Sequence, residues 1–324
     1  MRAAFTLVAT AITTAFPAGQ ALAQADTFPA KPVRWIIPFP PGGSVDVVAR
    51  LVGPKLGEAL KQQVVLDNRT GASGNIGTEL AARAPADGYT VLSNTLPFVV
   101  NPSLLPRVPY DVQKDFEPVM LLATQMSFVG IHPSVPAKNA RELVALSRAK
   151  PGLLNYATAG AGTNPHIAGE LFNLLGKADI TAVHFKGGGP AMIAVMGGEV
   201  GVTFLGIAGA TNHIKANRIR AIGVTGNKRA VAMPDVPTVA ESGIPGYEFY
   251  TWHVLVAPKN TPRPVVALLN ERLRGVLQSP DIVQRFRTDE LDIVAASPEA
   301  TGTFLADELK KWARVVKERG MKAD

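Results

Sequence analysis

Residues 33–50 read VRWIIPFPPGGSVDVVAR: an apolar, strand-forming run, a Pro/Gly turn, and a helix opened by Ser44. Passing directly from strand to helix aims the free backbone N–H groups of the first helical turn at whatever lies above, the local architecture of an anion site. The same grammar recurs at residues 70–81 (TGASGNIGTELA), 159–171 (AGAGTNPHIAGEL) and 186–196 (KGGGPAMIAVM). Several helix N-termini are therefore expected to converge on one small ligand. A chain that grips an anion with backbone need not do chemistry on it.

Outward from that stretch, strand-like and helical runs alternate. After the strand at 33–39 the pattern predicts helix 44–60, strand 64–68, helix 74–84 and strand 90–93. A second series starts near 128–132 and runs helix 139–149, strand 153–157, helix 165–175, strand 180–185, helix 190–196, strand 200–205, helix 209–217 and strand 221–225. Such alternation implies mainly parallel sheets flanked by helices, an α/β fold. The last third is Pro-rich at 233–246, then predicts strand 250–257 and helices 264–278 and 298–319. With one strand it cannot build a sheet and should return to the first unit. The chain then crosses twice between lobes, near 122–124 and 225–227. Lobe 1 is expected to hold residues 24–124 plus 226–324, and lobe 2 residues 125–225, with a ligand cleft and hinge between.

The N-terminus reads as an export leader, residues 1–23: a positive Met1-Arg2, a short apolar run, and Ala21-Leu22-Ala23 before Gln24 in small-x-small form. Cleavage is expected near Ala23/Gln24. The chain has no Cys, which excludes both a lipoprotein anchor and a disulfide framework. About 300 residues then suffice for two packed domains. Net charge is +7, yet basic residues form no run and do not interleave with aromatics, so nucleic acid is not an expected partner. The charge reads as a solvated surface, with mild steering of acidic ligands as its alternative.

Enzyme signatures fail on inspection. Gly71-Ala72-Ser73-Gly74-Asn75 has Asn where a nucleophile elbow needs its last Gly. Gly160-Ala161-Gly162-Thr163-Asn164-Pro165 puts Pro in the third Gly position of a dinucleotide turn. His166 and Glu170 share a helix face, but two side chains make no metal site, and His166 is expected to pack or cap near its turn. His132, His184, His213 and His253 are scattered, with no carboxylate beside them. Asp46 is expected to help cap its helix, and Arg69 either pairs with a ligand carboxylate or forms a structural ion pair in its loop. No catalytic residue, metal or cofactor is expected.

At the level of ordered motifs the chain resembles a known family. Phe39-Pro40-Pro41-Gly42-Gly43-Ser44, Asn68-Arg69-Thr70-Gly71-Ala72-Ser73-Gly74-Asn75-Ile76-Gly77 and Pro85-Ala86-Asp87-Gly88-Tyr89-Thr90 open the series. Asn155-Tyr156-Ala157, Gly160-Ala161-Gly162-Thr163, Phe185-Lys186-Gly187-Gly188-Gly189-Pro190-Ala191 and Pro234-Asp235-Val236-Pro237-Thr238 continue it. Together they resemble the Bug proteins, the periplasmic substrate-binding components of tripartite tricarboxylate transporters. The resemblance covers essentially the whole mature chain.

It implies a two-lobed Venus-flytrap binding protein, located in the periplasm and monomeric, that closes on a small carboxylate and passes it to membrane permease subunits. It implies no enzyme activity. Carried over residue by residue, the ligand-binding candidates are Phe39, Pro41, Gly42, Ser44 and Asn75 in the first lobe, and Ala161, Gly162, Thr163, Gly187, Gly188 and Gly189 in the second. One departure stands out. Many relatives carry an Asp after the Phe that ends a second-lobe strand, where this chain has Leu205. Leu205 cannot receive a ligand ammonium, which favours an organic acid with an apolar body, aromatic or dicarboxylic; alternatively Leu205 only packs beneath the cleft. Two other classes share these residues: a ligand-sensing subunit for a signalling partner, and a secreted hydrolase using a cleft hydroxyl.

Overall fold

A computed structural model describes residues 28–207 and 210–321; the leader at 1–23 lies outside them. In chain order the elements are β1 (Val33–Ile37), α1 (Ser44–Leu60), β2 (Val64–Asn68), α2 (Asn75–Ala82), β3 (Thr90–Asn94), α3 (Pro97–Leu104), β4 (Phe116–Met126), β5 (Phe128–Ile131), α4 (Ala140–Ala149), β6 (Asn155–Thr158), α5 (Asn164–Gly176), β7 (Thr181–His184), α6 (Gly188–Met196), β8 (Val202–Thr203), α7 (Thr211–Lys215), β9 (Arg220–Val224), β10 (Tyr250–Pro258), α8 (Arg263–Leu277), α9 (Pro280–Thr288), β11 (Leu291–Ile293) and α10 (Pro298–Arg319). They form two lobes, one on a six-stranded sheet ordered β11, β4, β10, β3, β1, β2, the other on a five-stranded sheet ordered β7, β6, β8, β5, β9.

The two-lobed α/β architecture is as expected, but the sheets are mixed rather than mainly parallel. In the first, β1 pairs in parallel with β2 and β3, whereas β10 runs antiparallel to β3 and β4, and β11 antiparallel to β4. In the second, β6 lies parallel to β7 and β8, and β5 antiparallel to β8 and β9. The reason is the returning chain: a strand that comes back from the other lobe without a crossover helix enters against the direction of its neighbours. The tail contributes two strands rather than one, and both join the first sheet, as a tail unable to build its own must.

The crossings also lie elsewhere than expected. β4 stays in the first sheet to Met126, so the first crossing is at Ser127, not 122–124. Residues 226–249, read from the sequence as first-lobe chain, pack on the second lobe instead. Val224 N–H donates to Pro237 O at 2.9 Å, Val239 N–H to Val224 O at 2.9 Å, and Arg141 N–H to Ser242 O at 3.0 Å; the Tyr247 hydroxyl donates to Ala168 O at 3.0 Å. The second crossing is between Phe249 and Tyr250.

What positions the cleft is the packing under each turn. In α1 the buried residues Val45, Val48, Ala49, Val52, Leu56 and Leu60 recur at helical spacing and form one face against the first sheet. Gly53 lets α1 approach β2 closely, since a Cβ there would lie 2.9 Å from Leu66 Cδ2. The helix is thereby pinned with its N-terminus at the carboxyl end of β1, on the side where the lobes meet.

Candidate functional site

Between the lobes lies a cleft of about 370 Å³. Its first-lobe wall is the β1–α1 turn, with Phe39, Pro40, Gly42, Gly43 and Ser44, continuing to Val45 and Val47 on α1. Its second-lobe wall is the start of α5 at Thr163 and Pro165, and the start of α6 at Gly187, Gly188 and Gly189. The N-caps of these three helices are Gly43, Thr163 and Gly187, and none accepts a hydrogen bond from its own first turn through a side chain. Three sets of backbone donors therefore face one space, each carrying the positive end of a helix dipole.

The turns are held from behind. Asp46, in the first turn of α1, does not cap that helix; it accepts from Gly42 N–H at 2.9 Å, Arg50 Nε at 2.7 Å and Asn68 Nδ2 at 2.9 Å. Burial pushes its pKa up, but these hydrogen bonds and the Arg50 charge outweigh burial and leave it lowered, so the carboxylate stays ionised. Its charge is spent on Arg50 rather than on the cleft. Arg69 follows the structural alternative, pairing with Asp67 at 2.9 Å. Gly187 has φ +110, which a side chain would strain, and a Cβ there would press on Pro40 across the cleft at 3.1 Å.

Of the sequence-predicted residues, Phe39, Gly42, Ser44, Thr163, Gly187, Gly188, Gly189 and Leu205 line this cleft. Leu205 is 8% exposed and also belongs to a second-lobe core cluster, so it both faces the cleft and packs beneath it. Pro41, Asn75, Ala161 and Gly162 are not in the lining. Pro41 is exposed on its turn. The other three belong to a contact between the lobes: Ser73 Oγ donates to Ala161 O at 2.5 Å, Asn101 Nδ2 donates to Ser73 O at 3.2 Å and to Asn75 Oδ1 at 3.0 Å, and a Cβ on Gly162 would lie 2.6 Å from Asn101 Oδ1. The Thr163 hydroxyl already donates to Gly160 O at 2.6 Å, so its proton is not free for an anion. His166 packs beneath its turn, where Nδ1 accepts from Gly162 N–H at 3.0 Å.

Sequence reading missed the floor and the apolar wall. Thr95, Gln125, Ser127, Asn164, Gly206 and Thr251 line the floor. Asn164 Nδ2 donates to Thr251 Oγ1 at 2.6 Å, and the Thr95 and Thr251 hydroxyls are 2.8 Å apart. Met192, Ile193 and Met196 extend the wall along α6. Ile193 is 66% exposed, and an apolar residue at an open helix position was the one available signal for that wall. Among the described residues that line it there is no Asp, Glu, Lys or Arg, and His213 is the one titratable side chain. Among the described residues no three His, Asp or Glu side chains gather to hold a metal ion.

With this geometry in hand, three solved structures are informative. The periplasmic binding protein BugD is 31% identical, covers 91% of this chain and 99% of its own, and superposes with TM-score 0.86. Rpa4515 of R. palustris, solved with adipate, is 32% identical, covering 91% of this chain and 99% of its own, TM-score 0.87. MatC of Rhodopseudomonas palustris, solved with bound malate, is 31% identical, covering 89% of this chain and 100% of its own, TM-score 0.85. The family model described as tripartite tricarboxylate transporter family receptor matches residues 48–321.

Proposed function

The chain belongs to the tripartite tricarboxylate transporter receptor family, among the Bug-type periplasmic solute-binding proteins, and on that premise we propose that it captures a small organic acid and delivers it to a tripartite membrane permease. The observation that carries this reading is the cleft lining: three helix N-termini around a space with no Asp, Glu, Lys or Arg among the described lining residues. Helix ends attract a carboxylate through partial charge and N–H donors. They do so without a fixed counter-ion, so the bound acid is released when the lobes part.

Phe39, Gly42, Ser44, Thr163, Gly187, Gly188, Gly189 and Leu205 form the ligand site in this reading. Pro41, Asn75, Ala161 and Gly162 support it, the last three by joining the lobes. The acid's body lies against Val45, Val47, Met192, Ile193 and Met196. Adipate in Rpa4515 and malate in MatC support a carboxylate as the ligand class. The protein works as a monomer without catalytic turnover, after removal of its leader near Ala23/Gln24.

A thermal-shift screen of aliphatic dicarboxylates and aromatic carboxylates tests the reading. At least one acid raises the melting temperature progressively, since a ligand of the folded state stabilises by RT ln(1 + [L]/Kd), about 2.7 kcal/mol at a hundredfold excess over Kd. The Ser73–Ala161 contact belongs to a closed form that the ligand favours. Small-angle scattering with that acid at saturation therefore gives a smaller radius of gyration. A panel without any shift, or turnover of an ester or amide, overturns the proposal.

A further inference from the structure

Gln125 is the penultimate residue of β4, cross-strand from Thr251 in β10, and is 1% exposed. Its Nε2 donates to Asp289 O at 3.1 Å. A backbone carbonyl only accepts, so this bond fixes which end of the amide is oxygen. Oε1 then points toward Gly206 on the cleft floor and has no hydrogen-bond partner among the described residues. Gly206 does not have a positive φ, so its backbone would accept a side chain; what glycine supplies is room, because a Cβ there would sit 3.2 Å from Oε1. Asn164, bonded through Nδ2 to Thr251, likewise has Oδ1 buried and unpartnered in the same floor.

Buried polar groups are nearly always partnered, and a carbonyl oxygen left bare bears its full desolvation cost. Within one lining there are thus two chemical poles. Helix N-termini present donors on the walls, and the floor presents acceptors. An acceptor is satisfied by a donor, which an ionised carboxylate lacks. An ammonium would be a buried cation with no carboxylate among the described lining residues to pair it. A hydroxyl donates one neutral hydrogen bond and carries no such cost.

The geometry points to a hydroxylated organic acid as the preferred ligand, its carboxylate on the helix N-termini and its hydroxyl donating to Gln125 Oε1. Gln125 is then a specificity-determining residue, and Gly206, lacking a Cβ, leaves room beside its oxygen. This inference rests on the carboxylate-receptor reading above.

Calorimetry on matched pairs that differ by one hydroxyl tests it: malate and succinate, 3-hydroxyadipate and adipate, mandelate and phenylacetate. In the wild-type protein the hydroxylated member of at least one pair binds tenfold or more tightly than its parent. In Gln125→Met, near in size but without the acceptor, that ratio falls toward one. Gly206→Ala, whose new methyl covers Oε1, lowers the same ratio, and each variant's melting curve establishes that it is folded. Equal affinity within every pair that binds overturns the inference and leaves the receptor reading standing, as does a hydroxyl preference that a folded Gln125→Met retains. An aminated analogue, aspartate beside malate, that binds more tightly than the hydroxy acid overturns it in favour of an ammonium site. If no acid of any pair binds, the carboxylate reading falls and this inference with it.

Discussion

The turns at residues 71–77 and 187–189 are written in the same letters, glycine-rich and running into a helix, yet they are built for opposite ends. At the first, glycine is there because something else is already close. A Cβ on Gly77 would lie 2.5 Å from Arg69 O and 2.9 Å from Pro38 Cα, and one on Gly74 would lie 3.0 Å from Phe39 Cζ. At the second, Gly187 alone is close to a neighbour, Pro40 of the facing lobe at 3.1 Å, and past it the space is open: a Cβ on Gly188 meets only Leu205 Cδ2 at 3.5 Å, and one on Gly189 meets nothing within 4 Å. One turn is packed against its own lobe; the other holds space for a ligand. Glycine content alone does not separate a structural turn from a binding turn, and the distance to the nearest atom does.

The sharpest way to break that contrast is Gly77→Ala. Its methyl runs into backbone, which cannot give way as a side-chain tip can, so a loss of about 3 kcal/mol is expected, read as a lowered midpoint in urea. A midpoint unchanged from wild type would mean that the turn is not packed as described. Gly188→Leu should do the reverse. The ligand-free protein melts near the wild-type temperature, while the filled cleft weakens binding of an acid identified by thermal shift at least a hundredfold, about 2.7 kcal/mol.

Acidification separates the packed interior from the cleft in another way. His253, in β10, is 1% exposed with neither ring nitrogen hydrogen-bonded among the described residues, and burial lowers its pKa to about 4. Unfolding restores an ordinary imidazole near 6.5, so the unfolded chain binds the extra proton throughout that interval. Stability is therefore whole above pH 6.5 and falls as pH drops toward 4, by about 2 kcal/mol at pH 5. Urea midpoints across this range should show the slope, and His253→Leu should remove this residue's share of it.

Leu205→Asp probes where the two regions meet, since Leu205 belongs to both core and cleft. A carboxylate beside a bound anion should weaken acid binding about tenfold, about 1.4 kcal/mol, by calorimetry. Normal melting with wild-type affinity would remove Leu205 from the site. The smallest effect is expected from Thr163→Ala. Its hydroxyl proton is committed to Gly160 O, so the loss of about 1 kcal/mol should appear in stability rather than in affinity.

How much of this was legible in the sequence follows from what is local. Helix α1, strand β2 and helix α10 stand at the expected bounds, because apolar spacing and Pro/Gly punctuation mark them from within. β4 was missed: its residues FEPVMLLATQM are buried with little alternation, and Pro118 interrupts the run. Helix α3 was missed for a similar reason, being buried on most sides and carrying Pro102. Strand direction was misjudged because pairing is decided by which chain arrives alongside, and no window of residues records that. The cleft divides the same way. Its glycine turns could be read, each being a contiguous motif, while Gln125 and Thr251 are ordinary strand residues until β4 and β10 lie side by side.

That pairing continues beyond the first sheet. Where the two connecting strands enter the second lobe, Thr225 of that lobe stands between them and ties both: Ser127 N–H donates to Thr225 Oγ1 at 2.8 Å, Thr225 N–H to Ser127 O at 2.9 Å, and Phe249 N–H to Thr225 O at 2.8 Å. The waist is thus a laced two-ply ribbon rather than two independent strings. A ribbon flexes easily across its thin dimension and resists twist and shear, so lobes joined by it would swing as a door on one axle. Each closing stroke then brings the same atoms opposite one another, and the helix ends of one lobe need not search for those of the other. Gln125 lies two residues from that axle, where the stroke is shortest, so the floor keeps its alignment while the walls travel.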